Sequence, residues 1–512
     1  MYTPINLLIS MIMFRNYFLL FFLVFSPYLS QGQNLENELE NIVSNFQLMG
    51  MSVWVNTNDV EEQYHFGLKD FNRNLAVDTN THYRIASISK TFTALGIIKL
   101  YNDGFLNLDE DISTYIGYQI ENPQFPFTPI TTRMLLSHTS SLQDGDGYTN
   151  FLNATYSQTP IPNISELLLP SGGYYSSNMW RVEAPGTFFT YSNINFGLLG
   201  TLIEAISGER FDIFMKNEIL VPLGIQGSFN IQDIIDINDM AVLYRNNNGN
   251  WQPQYDNYQG LIPTPPDLSS YIPGTNGIYF APQGGLRSTV SDMGRLLNFL
   301  KSDGSLYNFS IQESSLNEMR SIQWNYNGSN GNNYFGLFNR WGLGLHHANI
   351  ISGDQICGLG TQGTFIGHPG EAYGLISDAY FIENQDIAFT ILINGIWGGY
   401  QSGTNSSFYA VEEAIFNVLC NYFDSVLTVK KNDFLDINIF PNPAKNSFTI
   451  KVEENFNVIE ITLFNLLGNT VYKSNNNENN IIEVDVSNFS RGIYFLTLTN
   501  QNTSFTKKII IE

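Results

Sequence analysis

RIASISKTFTALGIIKL, residues 84 to 100, is the stretch from which the reading of this chain starts. Ile88, Phe92 and Leu95 recur at helical spacing and Gly104 follows as a stop signal, which predicts a helix over residues 87 to 103. Ser87 and Lys90 then lie one turn apart on a face that also carries Ala94 and Ile97, so both point inward rather than to water. A serine hydroxyl becomes a nucleophile when a neighbouring base takes its proton. Desolvation and the positive end of the helix dipole both lower the pKa of a lysine placed there, which suits Lys90 to act as that base. The helix start also offers a backbone N–H to a developing oxyanion. Spacing alone is a weak signal. Ser504 and Lys507 repeat it in a segment without helical pattern, and a capping serine beside a surface lysine has the same spacing.

The chain around this stretch is long, 512 residues, and so is expected to hold two or three units with a sizeable core. Its 24 Lys and Arg against 47 Asp and Glu give a net charge of −23, which disfavours nucleic acid and anionic lipid as partners. Charged residues make up 14% and hydrophobic ones 43%, a balance that excludes disorder. Polarity comes from Asn, Ser, Thr and Gly instead. Near the start, Arg15 precedes the apolar run YFLLFFLVF (17 to 25), and the small residues Ser30 and Gly32 precede Gln33. Residues 1–32 are therefore read as a secretory signal peptide, too short to span a bilayer, with an uncleaved anchor as the alternative. Cys357 and Cys420 follow that export signal; they are free to pair in an oxidising compartment, and their spacing supports no zinc site.

Between residues 36 and 425 helical and strand patterns mix, which predicts an α+β layer fold. Helices are expected over residues 195 to 206, from Thr289 onward, where Thr289 and Asp292 form a variant capping box, and through SFYAVEEAIFNVLCNYF. AYFIE and IAFTILIN read as strands, and residues 143–184 and 245–283 as long loops shaping a site. After a linker at 426–434, residues 435–512 show only alternating strands and turns, the pattern of a small β-sandwich.

Four further segments follow the first in order: ITTRMLLSHTSSL (130 to 142), PGTFFTYSNINFGLLGTLIEAISG (185 to 208), APQGGLRSTVSDMGRLLNF (281 to 299) and GHPGEAYG (367 to 374). Together they resemble the serine β-lactamase and penicillin-binding protein superfamily, in particular its class C β-lactamase, D-alanyl-D-alanine carboxypeptidase and family S12 esterase branch. The resemblance implies an antiparallel sheet flanked by helices plus an all-helical subdomain. It implies that Tyr191 and Asn193 form the second motif, although Tyr-x-Asn also occurs at Tyr148, Tyr244 and Tyr255. It makes His138 structural, with Ser141 where glycine is usual, and Gly284 and Gly285 positions of backbone shape. His368 becomes the polar or cationic partner of the Lys90–Tyr191 pair, Gly370 the residue that admits substrate, and the Glu371 backbone N–H the second oxyanion donor beside that of Ser87. Asn193 and His368 would orient the substrate. The implied chemistry is an acyl-enzyme on Ser87 formed from an amide, ester or β-lactam, without metal or organic cofactor. Pro369 departs from the pattern: carboxylate-reading members have Thr or Ser there, and proline has no hydroxyl. A catalytically silent surface-binding protein on the same fold is the competing reading.

IFPNPAKNSFTI, ITLFNLLGNTVY, VDVSNFSRGIYFLTL and the closing KKIIIE resemble the type A C-terminal sorting domain of the type IX secretion system. That resemblance implies export across an outer membrane through the secretion machinery, and a cell-surface or secreted location.

Overall fold

The computed structural model describes residues 34–58, 60–348, 353–357, 363–383, 385–433, 438–452, 460–466, 469–475, 481–499 and 504–512. The expected signal peptide lies outside them. The chain divides into two compact units, Met1–Cys420 and Asn421–Glu512.

GMSVWVNT, residues 50 to 57, is buried at every position, so it cannot be an edge strand and needs a neighbour on each side and a layer on each face. It supplies β1 (Gly50–Thr57) of an antiparallel sheet that continues with β2 (Val60–Asp70), β3 (Leu75–Ala76), β4 (Trp324–Asn325), β5 (Arg340–Trp341), β6 (His346–Ala348), β7 (Phe365–Ala372), β8 (Leu375–Ile382) and β9 (Ile387–Ile393). Among the described residues the order is β4-β5-β6-β7-β8-β9-β1-β2-β3, so β1 pairs with β9 on one side and β2 on the other. Each fully buried aliphatic side chain of these central strands contributes about 1.5–3 kcal/mol of burial free energy.

Helices cover the sheet and build a helical subdomain: α1 (34–45), α2 (Ser89–Asn102), α3 (Asp146–Ser157), α4 (Asn193–Ser207), α5 (Val290–Lys301) and α6 (Ala410–Asp433). α5 starts as expected: the Asp292 backbone N–H donates to Thr289 Oγ1 at 3.1 Å, and the Asp292 carboxylate accepts from the Thr289 backbone. Its Gly294 lies against the fully buried Trp54 indole, where a Cβ would come within 2.5 Å of the ring. α2 is buried on nearly all sides rather than along one stripe. Its hydroxyls are satisfied by backbone: Thr91 donates to Gly344 O and Thr93 to Pro282 O, while Ser89 Oγ accepts from the Leu286 N–H.

Two expectations are corrected. Residues 143–184 are not one long loop. α3 lies within them and buries Tyr148, Phe151, Ala154 and Thr155, a helical spacing that the Asn and Thr content of DGYTNFLNATYS obscures. Residues 426–433, read as linker, continue α6. Cys357 and Cys420, left open by the sequence, are joined in a disulfide.

In the second unit, Asn438–Phe440, Ser447–Lys451 and Ile481–Asp485 form a three-stranded sheet. Glu460–Asn465, Thr470–Asn475, Gly492–Thr499 and Ser504–Ile511 form a four-stranded one. Alternate residues Tyr494, Leu496 and Leu498 face a core with Phe448, Leu463, Val484 and Ile509, the two-residue period expected of a sandwich.

Candidate active site

Between His82 and Ile98, Ser87 alone is not buried. Ala86, immediately before it, has φ of 48°, a left-handed conformation that costs an alanine about 1 kcal/mol and turns the chain at Ser87. A single turn, Ala86–Ile88, then leads into α2, whose second residue is Lys90.

Lys90 is fully buried, and its Nζ lies 3.0 Å from Ser87 Oγ, 3.0 Å from Asn193 Oδ1 and 2.8 Å from Gln283 O. Burial lowers its pKa from 10.5 to about 7, against an opposing pull from Asp144. A neutral amine has two N–H groups and one lone pair. Two of the three neighbours, Asn193 Oδ1 and Gln283 O, can only accept, so they take the N–H groups. The ammonium form donates to Ser87 Oγ as well; once it is neutral, its lone pair faces the Ser87 hydroxyl. That arrangement is one in which a neutral Lys90 can accept a proton from Ser87.

Tyr191 hydrogen-bonds Ser87, and burial raises its pKa far above the usual phenol value, so it stays protonated. Its ring lies 4.9 Å from Lys90 Nζ and is held between His138, at 4.5 Å, and Phe338, stacked at 5.2 Å. His138 is buried and accepts at Nδ1 from the Ser192 N–H at 3.2 Å. It supports Tyr191 and does not reach Ser87, as expected of a structural histidine. Ser141, where the pattern favours glycine, has φ of 70°, which explains the preference.

The other expected site residues take more restricted parts. His368 is not a cation: burial, with Lys90 nearby, holds its pKa well below 6.5. Its Nδ1 lies 2.5 Å from Pro369 O and so carries the proton, leaving Nε2 a buried acceptor without a protein partner among the described residues. Gly370 packs closely on the turn that carries Ser87. A Cβ there would sit 2.3 Å from Ser377 Oγ, 2.9 Å from Ile85 O and 3.2 Å from Ser87 N, so the missing side chain lets the nucleophile turn lie against β7. The Glu371 side chain bonds to the Tyr409 hydroxyl, and the alternation along β7 puts it on the face opposite Gly370. Only its backbone N–H remains for an oxyanion. Asn193 turns its carbonyl to Lys90 and donates from Nδ2 to Asp144 Oδ2 at 2.9 Å, which leaves one amide N–H for a substrate.

Sequence reasoning missed Asp144 and Gln283. Gln283 acts through its carbonyl, which no side-chain pattern can signal. Asp144 accepts from the backbone N–H groups of Asn193 and Ile194 at 2.9 and 3.0 Å, and so caps α4 from a distant loop. It is a positioning residue that decides which end of the Asn193 amide faces Lys90. Asp144→Asn is expected to lower kcat about tenfold and, by removing a charge that raises the Lys90 pKa, to move the acidic limb of the pH–rate profile to lower pH. An unmoved limb would assign Asp144 a purely structural part.

The fold is that of a serine hydrolase of the β-lactamase and penicillin-binding type. The chain belongs to the Beta-lactamase family, whose profile matches residues 35–396. Residues 438–512 match the secretion system C-terminal sorting domain, which marks the chain for export by type IX secretion to the cell surface or extracellular space. A penicillin-binding protein of Bacillus subtilis (strain 168) is 29% identical over 201 residues, covering 38% of this chain and 41% of that protein. The chain spans about two fifths of the length of the curated relatives it matches. Solved structures share the fold, two of them as follows. The octameric penicillin-binding protein homologue from Pyrococcus abyssi has TM-score 0.56 at 18% identity, over 94% of this chain and 96% of that one. The D-amino acid amidase from Ochrobactrum anthropi SV3 complexed with D-phenylalanine has TM-score 0.55 at 21% identity, over 78% of this chain and 99% of that one.

Proposed function

We propose that the protein is a secreted hydrolase that opens esters or amides through an acyl-enzyme on Ser87. The carrying observation is the set of contacts around Lys90: two fixed carbonyls that can take both N–H groups of the neutral amine, and Ser87 Oγ at 3.0 Å opposite its lone pair. As Ser87 Oγ forms a bond to the substrate carbonyl carbon, its proton passes to Lys90 Nζ. The Ser87 and Glu371 N–H groups hold the resulting oxyanion. Collapse breaks the bond to the leaving group, which takes a proton from the Tyr191 hydroxyl; Lys90 replaces it. Water then attacks the ester by the same route in reverse and frees Ser87. Residues 36–425 would carry this chemistry and residues 435–512 the contact with the secretion machinery.

Pro369 favours esters and amides over peptides with a free terminal carboxylate, because position 369 carries no hydroxyl to receive one. The test is a panel of p-nitrophenyl acetate, D-phenylalanine amide, nitrocefin and a peptide ending in D-alanyl-D-alanine. Turnover of the ester or amide with the peptide left intact is the expected result. Failure of every member, together with no fluorophosphonate adduct on Ser87, would sink the reading.

A further inference from the structure

A second cavity, of about 300 Å3, opens beside the nucleophile turn and takes no part in the chemistry described above. Its walls include Arg84, Tyr255, Tyr279, Arg287 and Leu268. Arg84 is more than nine-tenths buried, and its Nε has no hydrogen-bond partner. Among the described residues its guanidinium forms no ion pair; it lies over the Tyr255 ring at 4.4 Å, and Tyr255 stacks on Tyr373. Arg287, its neighbour across a two-residue ladder, is already committed, donating to Asp256 at 2.9 Å. Two guanidinium groups and one carboxylate leave one positive charge uncompensated in an aromatic-walled cleft that opens to solvent. An unpaired buried charge costs several kcal/mol, and an anion entering the cavity would remove that cost.

Three landmarks place the cavity beside the reacting carbonyl. Arg84 precedes Ser87 by three residues, so their Cα atoms are at most about 11 Å apart. The wall residue Tyr255 stacks on Tyr373, which follows Glu371 by two residues, and the wall residue Ala281 precedes Gln283, which holds Lys90, by two. The leaving group must lie at Tyr191, which donates its proton, beside His368. Through Tyr255 on Tyr373 the cavity adjoins the end of β7 beyond Glu371, away from His368, which we take as the acyl side.

We propose that this cavity binds a carboxylate on the acyl portion of the substrate, through Arg84, so that the preferred substrates are esters or amides of acidic acyl groups such as glutaryl. The assignment of an acyl side rests on the serine hydrolase reading; the anion site itself can be tested without turnover. In calorimetric titrations of the Ser87→Ala chain, monomethyl glutarate should bind and dimethyl glutarate should not. Adding Arg84→Gln should weaken binding at least about tenfold, with Arg84→Lys falling between. Leu268→Trp, which fills the cavity from its rim, should also abolish binding and covers the case in which Arg84→Gln does not fold. In kinetics, the kcat/KM ratio of mono-p-nitrophenyl glutarate to p-nitrophenyl acetate should exceed about ten and collapse in Arg84→Gln. The ratio of 3-acetoxybenzoate, whose carboxylate leaves with the phenol, to phenyl acetate should stay near one. No binding of monomethyl glutarate, binding indifferent to Arg84, or a preference confined to 3-acetoxybenzoate would each overturn the proposal. If no ester is turned over, the hydrolase reading fails, and the titrations still decide the anion site.

Discussion

Ser87→Ala is expected to abolish covalent labelling by a fluorophosphonate and to lower kcat by about 10^4-fold or more, while the protein keeps its fold. Both halves follow from the same observation. Ser87 is the partly exposed residue in an otherwise buried run, so its hydroxyl contributes little packing and much reactivity. Lys90 keeps two of its three polar neighbours in the variant, Asn193 Oδ1 and Gln283 O, so the thermal midpoint should move by only a few degrees. Peptide mapping of the labelled wild type should return the adduct on Ser87. Labelling that survives in Ser87→Ala would move the nucleophile elsewhere and remove the basis for every role assigned around it.

Lys90 carries the second large effect. With its pKa near 7, kcat/KM should fall tenfold per unit as pH drops below that value and level off above it. Tyr191 stays protonated throughout, so this limb reports the lysine alone. Lys90→Met should cost about 10^2–10^4 in kcat, and Lys90→Arg should not rescue it, because a guanidinium remains charged. Stability should move the other way. The folded-state pKa lies below the unfolded one, so between about 7 and 10.5 the unfolded chain binds the extra proton and stability rises with pH. Below about 7 both states are protonated and the folded chain bears the whole penalty, roughly 5 kcal/mol before the lost hydrogen bonds are subtracted. Lys90→Met should therefore gain most over wild type near pH 6 and lose that advantage by pH 10, in denaturant melts at the two pH values. An advantage independent of pH would mean that Lys90 is not buried as a neutral amine.

The motif residues were legible in the sequence to different depths. Ser87, Lys90 and Tyr191 could be found because their chemistry resides in side chains at regular spacing or in a recurring order of segments. Asn193 was found, but half of its role was not, since the direction of its amide is decided by Asp144 across 49 residues of chain. His368 was legible as a polar residue and not as a neutral one, because its charge depends on burial and on the field of Lys90. Gly370 was legible as a place where a side chain is excluded. What excludes it, the turn that carries Ser87, comes from a distant part of the chain. The helix over Asp146–Ser157 was hidden by residue types that favour turns, and tertiary burial of Tyr148 and Phe151 overrides that local preference.

By itself the sequence determined the division into an enzyme-like unit and a strand-only tail, most of the elements, and the candidates for nucleophile and base. Those properties follow from local periodicity and from side-chain chemistry, which travel with the residues. Tertiary structure alone decided the protonation of Lys90 and His368, the disulfide between Cys357 and Cys420, the carbonyls that orient the base, and the uncompensated charge of Arg84. Each depends on desolvation or on a partner far away in the chain, and neither exists until the fold brings the groups together.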